Sequence, residues 1–212
     1  MSVNAVTDGY KKQVQDNLHI FNGIEYLRPG HGVKGTPFFL SDSLLTGAVF
    51  YDGNMYENLP MHYDVVSDDV VINNYSKNNE IKLVPEKLSY FLIAQHLFVR
   101  ITADSATPSF IKTGFYERLY DGKMSLFARY QKSPKLSNTG DYTTLYAEYN
   151  NYYVLLNNTF YHADSKNEFL DLMADKKDAV KRFMKSNKIK INNKNPEAAM
   201  IQVAAYYSQL KN

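Results

Sequence analysis

The five histidines of the chain are the first side chains to consider for metal binding or acid–base chemistry. None of them belongs to an H-x-H or H-E-x-x-H pattern, so a metal site would need histidines brought together from distant segments. We therefore predict no metal site and no cofactor. His31, which lies between Gly30 and Gly32, is the one histidine that we select as a candidate binding residue.

The glycine-rich segment around this histidine, residues 30–35, matches the dinucleotide-binding pattern G-x-G-x-x-G. That pattern binds a pyrophosphate only where a strand precedes it and a helix follows it. Here Pro29 precedes the segment and Pro37 follows it closely, which indicates a turned loop instead of a cofactor site.

The usual signatures of catalysis are missing from the sequence. The chain has no cysteine, which excludes disulfides, thiol catalysis and cysteine-ligated zinc. It also has no G-x-S-x-G, S-x-x-K or P-loop pattern. Glu117 and Glu148 could pair as acid and base across strands, but nothing in the sequence separates them from ordinary surface carboxylates. We predict no catalytic residue.

A basic stretch near the C-terminus is the clearest charge feature. Residues 175–194 hold eight basic and two acidic side chains, although the whole chain has a formal net charge of only +2. Such a stretch could meet phosphate, anionic lipid headgroups or an acidic partner, or it could be the solvated side of an amphipathic helix. Aromatic residues are not interleaved with the lysines, so we predict no nucleic-acid partner. The predicted basic patch is Lys176, Lys177, Lys181, Arg182 and Lys185.

Tyrosine is over-represented, with 18 residues in a chain of 212. Tyrosines pack well across strands, which is their structural interpretation, and exposed aromatic rings also mark binding surfaces for proteins or glycans. The candidate binding residues, besides His31, are Tyr146, Tyr149, Tyr152, Tyr153 and Tyr116.

The elements that must position these side chains are mostly short strands. Between residues 47 and 162, segments rich in Val, Ile, Tyr and Phe alternate with turns, and the pairs Asp52-Gly53, Asp121-Gly122 and Asn157-Asn158 favour two-residue hairpins. Antiparallel strands linked in this way form a sheet that curls or closes. At the second hairpin the pattern pairs Tyr120 with Lys123 and places Phe127 on the wetter face, together with Tyr116.

After residue 162 the pattern becomes helical. Ser165 and Glu168 form a capping box, a second helix is expected to start near Asp175, and a third follows Pro196. We therefore predict an α+β fold: an antiparallel, strongly curved sheet or partly open β-barrel with the C-terminal helices packed on it. The predicted division is an irregular segment 1–36, a β domain 37–162 and a helical segment 163–212 on the same core.

Several stretches spread over nearly the whole chain form a distinctive series, namely residues 18–26, 35–42, 47–52, 56–64, 69–71, 115–123 and 203–207. In this series the chain resembles a group of uncharacterised envelope proteins of the Bacteroidota. Members of that group usually begin with a signal peptide, so the resemblance implies an exported, periplasmic or outer-membrane-associated protein. It implies no activity and no catalytic residues.

Read without that resemblance, the chain carries neither a signal-peptide pattern nor a transmembrane segment and would be cytoplasmic. The leading functional prediction is a non-catalytic cell-envelope protein that binds a protein, glycan or other ligand through its tyrosine-rich β surface. The alternatives are a hydrolase acting on a glycan or peptide with carboxylates in a sheet cleft, and a carrier of an apolar ligand or lipid.

Overall fold

The structure is a computed structural model that describes residues 19–28, 33–74, 79–136, 144–192 and 196–210. Its described part is mostly β, with one twelve-stranded sheet followed by three α-helices, which confirms the predicted α+β class. The strands are β1 (Ile24–Glu25), β2 (Val33–Lys34), β3 (Leu45–Tyr51), β4 (Asn54–Asp64), β5 (Asp69–Asn74), β6 (Asn79–Lys82), β7 (Leu88–Ile93), β8 (His96–Ile101), β9 (Gly114–Tyr120), β10 (Ser125–Leu136), β11 (Thr144–Leu156) and β12 (Thr159–His162). The helices are α1 (Lys166–Asp171), α2 (Lys177–Ser186) and α3 (Glu197–Gln209).

The chain divides into two compact units, one of residues 1–95 and 132–147 and the other of residues 96–131 and 148–212. The predicted three-part division at residues 36 and 162 stays a prediction. The end strands of the sheet, β1 and β12, are not paired with each other in the described part of the chain, so a closed barrel is not shown.

The first unit contains the strands in the order β1-β6-β5-β4-β3-β7, and each neighbouring pair is antiparallel. The predicted hairpin at Asp52-Gly53 is confirmed, because both residues have positive φ, 51° and 79°, as a type I′ turn requires. Part of the segment predicted to be irregular joins this unit: β1 pairs with β6, and the side chain of Ile20 is fully buried.

The second unit contains β8, β9, β12 and the larger parts of β10 and β11, which are neighbours in chain order, with the helices on one face of the sheet. The Asn157-Asn158 turn is also confirmed, with φ of 51° and 60°. The capping box at the start of α1 is present as predicted, because the Ser165 side chain accepts from the Glu168 amide and Glu168 accepts from the Ser165 amide. The core of this unit joins residues from the strands to residues from all three helices: Met124, Leu126, Ala128, Tyr152, Val154, Phe169, Met173, Val180, Met200 and Val203.

The hairpin predicted at Asp121-Gly122 is wrong in register. Tyr120 pairs with Leu126 instead of Lys123, and a bulge follows before Phe127 pairs with Arg118. Gly122 does not have positive φ; an added Cβ would come within 2.6 Å of the Tyr120 hydroxyl and 2.9 Å of the Ser208 Oγ of α3. The turn packs against both Tyr120 and α3, and its register is not the one that Asp-Gly favours locally.

The face of this hairpin predicted to be wet is buried. Tyr116 and Phe127 form a second small core with Ile111 and Tyr153, against which Phe110 packs. The segment between β8 and β9 carries Phe110 and Ile111 over these side chains, so this part of the sheet is covered on both faces.

Candidate functional site

Three of the five tyrosines predicted to bind a partner are core residues. Tyr116 is fully buried, and its hydroxyl donates to the Lys112 carbonyl oxygen at 2.8 Å and accepts from Arg129 Nη1 at 3.0 Å. Tyr152 and Tyr153 are only 6% and 5% exposed, and burial raises the pKa of Tyr153 to about 12. These three side chains stabilise the second unit and do not form the exposed face expected of them.

The other predicted binding residues are placed differently. Tyr149 is 49% exposed on β11, and Tyr146 is half-buried, with its pKa raised by burial. His31 lies outside the described residues.

The predicted basic patch divides into two groups around α2. Lys177, Lys181 and Lys185 follow one another at intervals of four residues, so they lie on one side of the helix and line a cavity. Lys176 and Arg182 are not among the residues that line this cavity. The structure therefore separates residues that the sequence presents as one patch.

This cavity, which we call the lysine cavity, has a volume of about 560 Å³. Its walls come from α1, from α2 and from the segment that follows α2, all within the second unit. The described lining residues are Lys166, Asn167, Leu170, Asp171, Lys177, Lys181, Met184, Lys185, Lys188, Ile189 and Lys190.

The end of α2 shapes one wall of the cavity. Lys188 has φ of 55°, its amide donates to the Lys185 carbonyl oxygen at 3.3 Å, and the Ile189 amide donates to the Met184 carbonyl oxygen at 2.9 Å. This is the Schellman arrangement, whose left-handed position is usually occupied by glycine or asparagine. It turns the chain back sharply, so that Ile189 lines the same cavity as Met184 of α2.

The charge inside the lysine cavity is strongly positive. Of its six lining lysines, Lys177 donates to Asp171 Oδ1 at 2.6 Å. No ion pair to a described residue occupies the other five: Lys166, Lys181, Lys185, Lys188 and Lys190. Like charges four residues apart on a helix destabilise it by about 0.2–0.5 kcal/mol per pair, so the spacing of Lys181 and Lys185 costs α2 some stability.

A part-buried polar network in the second unit also brings acid–base groups together. His96 Nδ1 lies 2.7 Å from Glu117 Oε1, and the Tyr130 hydroxyl lies 2.5 Å from Glu117 Oε2 and 3.1 Å from Glu197 Oε1. Tyr152 donates to the same Glu197 oxygen at 3.0 Å. Burial and the Glu117 charge raise the pKa of Tyr130 far above its usual range, so this phenol acts as a hydrogen-bond donor and not as a base.

This network joins β8, β9, β10 and β11 to the start of α3, which is a structural role. Glu148, which the sequence offers as an acid–base partner for Glu117, is exposed on β11. Among the described residues there is no cluster of three or more His, Asp or Glu side chains arranged to hold a metal ion.

A buried histidine, His62, lies in the first unit. The Arg28 guanidinium is bidentate to Glu80, at 2.8 and 2.6 Å, and its Nη2 lies 3.0 Å from His62 Nε2. His62 is only 1% exposed and stacks on Phe38, with ring centroids 4.0 Å apart. Burial first and the Arg28 charge second lower the pKa of His62, so the imidazole stays neutral and its Nε2 accepts a hydrogen bond from Arg28 Nη2.

Most of the residues that complete the lysine cavity were missed by sequence reasoning. Lys188 and Lys190 belong to the basic stretch but not to the predicted patch, and Lys166 and Leu170 belong to a different helix. The one signal that pointed to the cavity was the four-residue spacing of the lysines on α2. The apolar lining residues Leu170, Met184 and Ile189 and the position of α1 depend on tertiary packing, which the sequence pattern does not reveal.

Comparison of the chain with protein-family models, with curated proteins and with solved structures finds no match. Of the helices in the described ranges, none has the length and apolar character needed to cross a lipid bilayer. The site therefore has to be interpreted from its own geometry and charge.

Proposed function

We propose that this protein is a non-catalytic binding protein whose ligand is anionic and enters the lysine cavity. The observation that carries the proposal is a concave site with five lysines that have no carboxylate partner among the described residues. Ammonium groups that share one cavity repel one another, and a bound anion relieves that repulsion. The proposed role is binding, as predicted from the sequence, but the proposed site is the lysine cavity instead of the tyrosine-rich surface.

The hydrolase alternative finds no support in this cavity. Hydrolysis of a glycan by the usual route needs two carboxyl groups on opposite sides of the bond. The described lining of the cavity has one carboxylate, Asp171, and that one is paired with Lys177.

The location in the cell envelope is part of the proposal and rests on the resemblance of the sequence alone. The strong curvature of the sheet, which would make it a partly open barrel, is likewise proposed. Its support is the set of register shifts within the β3–β4, β3–β7 and β9–β10 pairs, because β-bulges bend strands and increase their twist.

The test of an anion site is a calorimetric and NMR titration with pyrophosphate. We expect amide shifts concentrated in residues 166–190 and an affinity that falls as salt is added. The double variant Lys181→Gln/Lys185→Gln should lose about tenfold or more in affinity, since two charge-assisted contacts are removed.

The matched control is Lys176→Gln/Arg182→Gln, which removes the same number of charges from the same region but outside the cavity lining. We expect this control to change the affinity by less than about threefold, because an exposed charge that makes no direct contact with the ligand contributes little. Equal losses in the two double variants, or no binding of pyrophosphate to the wild-type chain, would refute a specific anion site.

A further inference from the structure

The lysine cavity is apolar beneath its charged rim. Leu170 and Met184 are each only 6% exposed and belong to the core of the second unit, and Ile189 packs against that core. The lysine side chains add methylene stems to this surface, because long basic side chains lay their carbons along apolar neighbours and keep the ammonium group in water. The site therefore offers both positive charge and apolar surface to one ligand.

The volume of the cavity exceeds what a small inorganic anion needs. About 560 Å³ lies within the range of roughly 300–1,000 Å³ that is typical of sites for organic ligands. A bare phosphate is only a few times larger than a water molecule, which takes about 30 Å³ in the liquid. Such an ion would fill only a part of the cavity.

The lysines suit a phosphate headgroup. Lysine binds phosphate as a compact point charge, and several ammonium groups around one cavity match an anion that carries more than one charge. Lys181 and Lys185 approach from α2, Lys188 and Lys190 from the segment after it, and Lys166 from α1. An anion in the cavity is therefore reached from three segments of the chain.

One of these lysines occupies a position where lysine is disfavoured. Lys188 has φ of 55°, in the left-handed region where a residue with a Cβ is strained. Departures from local preference of this kind are concentrated at functional sites. At Lys188 the departure places an ammonium group in the lining of the cavity.

We propose that the lysine cavity binds a phosphate-headed amphiphile, with the phosphate at the lysine rim and the alkyl part on Leu170, Met184 and Ile189. The inference rests on the proposed function and names its ligand class. A soluble alkyl phosphate and the phosphate headgroup of a lipid present the same chemistry to the cavity, and the two sources are separated by the test below.

The test is a calorimetric titration of the full chain with methyl, butyl, hexyl and octyl phosphate, each below its micellar concentration. The affinity should rise by up to about fourfold for each methylene that becomes buried and then level off when the floor is covered. Octyl sulfate, with the same tail and one charge fewer, should bind at least about threefold more weakly than octyl phosphate.

The variants locate the effect. Lys181→Gln/Lys185→Gln should weaken octyl phosphate about tenfold or more, and Lys176→Gln/Arg182→Gln should leave it within about threefold of the wild type. Lys181, Lys185 and Arg182 are exposed and Lys176 is half-buried, so the folded chain is expected to persist, and its thermal unfolding is measured alongside. If the two double variants lose the same affinity for octyl phosphate, the assignment of the site to the lysine cavity is overturned.

The outcomes separate the two proposals. Binding of pyrophosphate together with a flat alkyl series, or with octyl sulfate as tight as octyl phosphate, overturns the amphiphile and leaves the anion site standing. Absence of all binding overturns both. If the chain floats with phosphatidylcholine vesicles that contain phosphatidic acid, and octyl phosphate prevents this, the source is a lipid. If octyl phosphate binds but the chain does not float with the vesicles, the source is a soluble alkyl phosphate. Both results support the shared chemistry.

Discussion

Replacing Lys188 by glycine should make the protein more stable and its ligand binding weaker at the same time. The residue has φ of 55° at the end of α2, and it lines the lysine cavity. Glycine reaches this conformation without steric cost, whereas a residue with a Cβ loses about 1–2 kcal/mol there. Glycine also makes the unfolded chain more flexible, which takes back about 0.4–1 kcal/mol.

The midpoints of these two ranges leave a net gain of about 0.8 kcal/mol in the free energy of unfolding. For a chain of 150–250 residues, 1 kcal/mol corresponds to roughly 2–4 °C in Tm, so Lys188→Gly should raise Tm by about 1–4 °C. The loss of one exposed charge from the cavity should weaken octyl phosphate by about two- to fivefold.

Differential scanning calorimetry and ligand titration measure the two effects separately. Lys188→Gln is the matched control, because it removes the charge but keeps the strained backbone: its affinity should fall like that of Lys188→Gly, without the gain in Tm. A lower Tm for Lys188→Gly than for Lys188→Gln would refute the assigned strain. An unchanged affinity in both variants would refute the role of this lysine in the cavity.

Three further predictions concern stability. Tyr130→Phe removes the donor to buried Glu117 and should lower the free energy of unfolding by about 1.5–3 kcal/mol in urea, whereas Tyr90→Phe, whose ring is stacked on the sheet surface, should change it by less than about 0.5 kcal/mol. The pKa of His62 is lowered in the folded chain, so the unfolded chain binds the proton first as the pH falls. The free energy of unfolding should therefore fall below about pH 6.5, by at most about 1.4 kcal/mol per pH unit. In measurements of Tm against pH, His62→Gln should flatten this slope. Gly122→Val should cost about 1 kcal/mol or more through overlap with neighbouring side chains; a Tm equal to that of the wild type would contradict this packing.

The parts of the fold that depend on local chemistry could be predicted from the sequence. Asp52-Gly53 and Asn157-Asn158 form their turns because residues of these types accept positive φ, and Ser165 caps α1 through atoms only three residues away. The change from strands to helices after residue 162 is likewise visible in the hydrophobic spacing.

The errors arose where distant segments decide the structure. Gly122 packs on α3, so its hairpin takes a register that Asp-Gly alone does not favour. Tyr116 and Tyr153 were expected on an exposed face, but Phe110 and Ile111 cover them from a segment whose position no local pattern reveals. A tyrosine in the sequence can be buried with its hydroxyl hydrogen-bonded or exposed to solvent, and the residue type alone does not show which.

The sequence predicts the charge of the candidate site but not its concave shape. The four-residue spacing from Lys177 to Lys185 shows a charged side of a helix, and it cannot show whether that side is flat or concave. The cavity exists because α1 and the chain after α2 approach this side, bringing Leu170 and Ile189 with them.

A crystal structure of the chain with octyl phosphate would test the lysine cavity most directly. We expect the phosphate oxygens within about 3 Å of the Nζ atoms of at least two cavity lysines, such as Lys181 and Lys185, and the alkyl chain against Leu170, Met184 and Ile189. An empty cavity in crystals where the ligand is bound elsewhere on the protein would contradict the assignment.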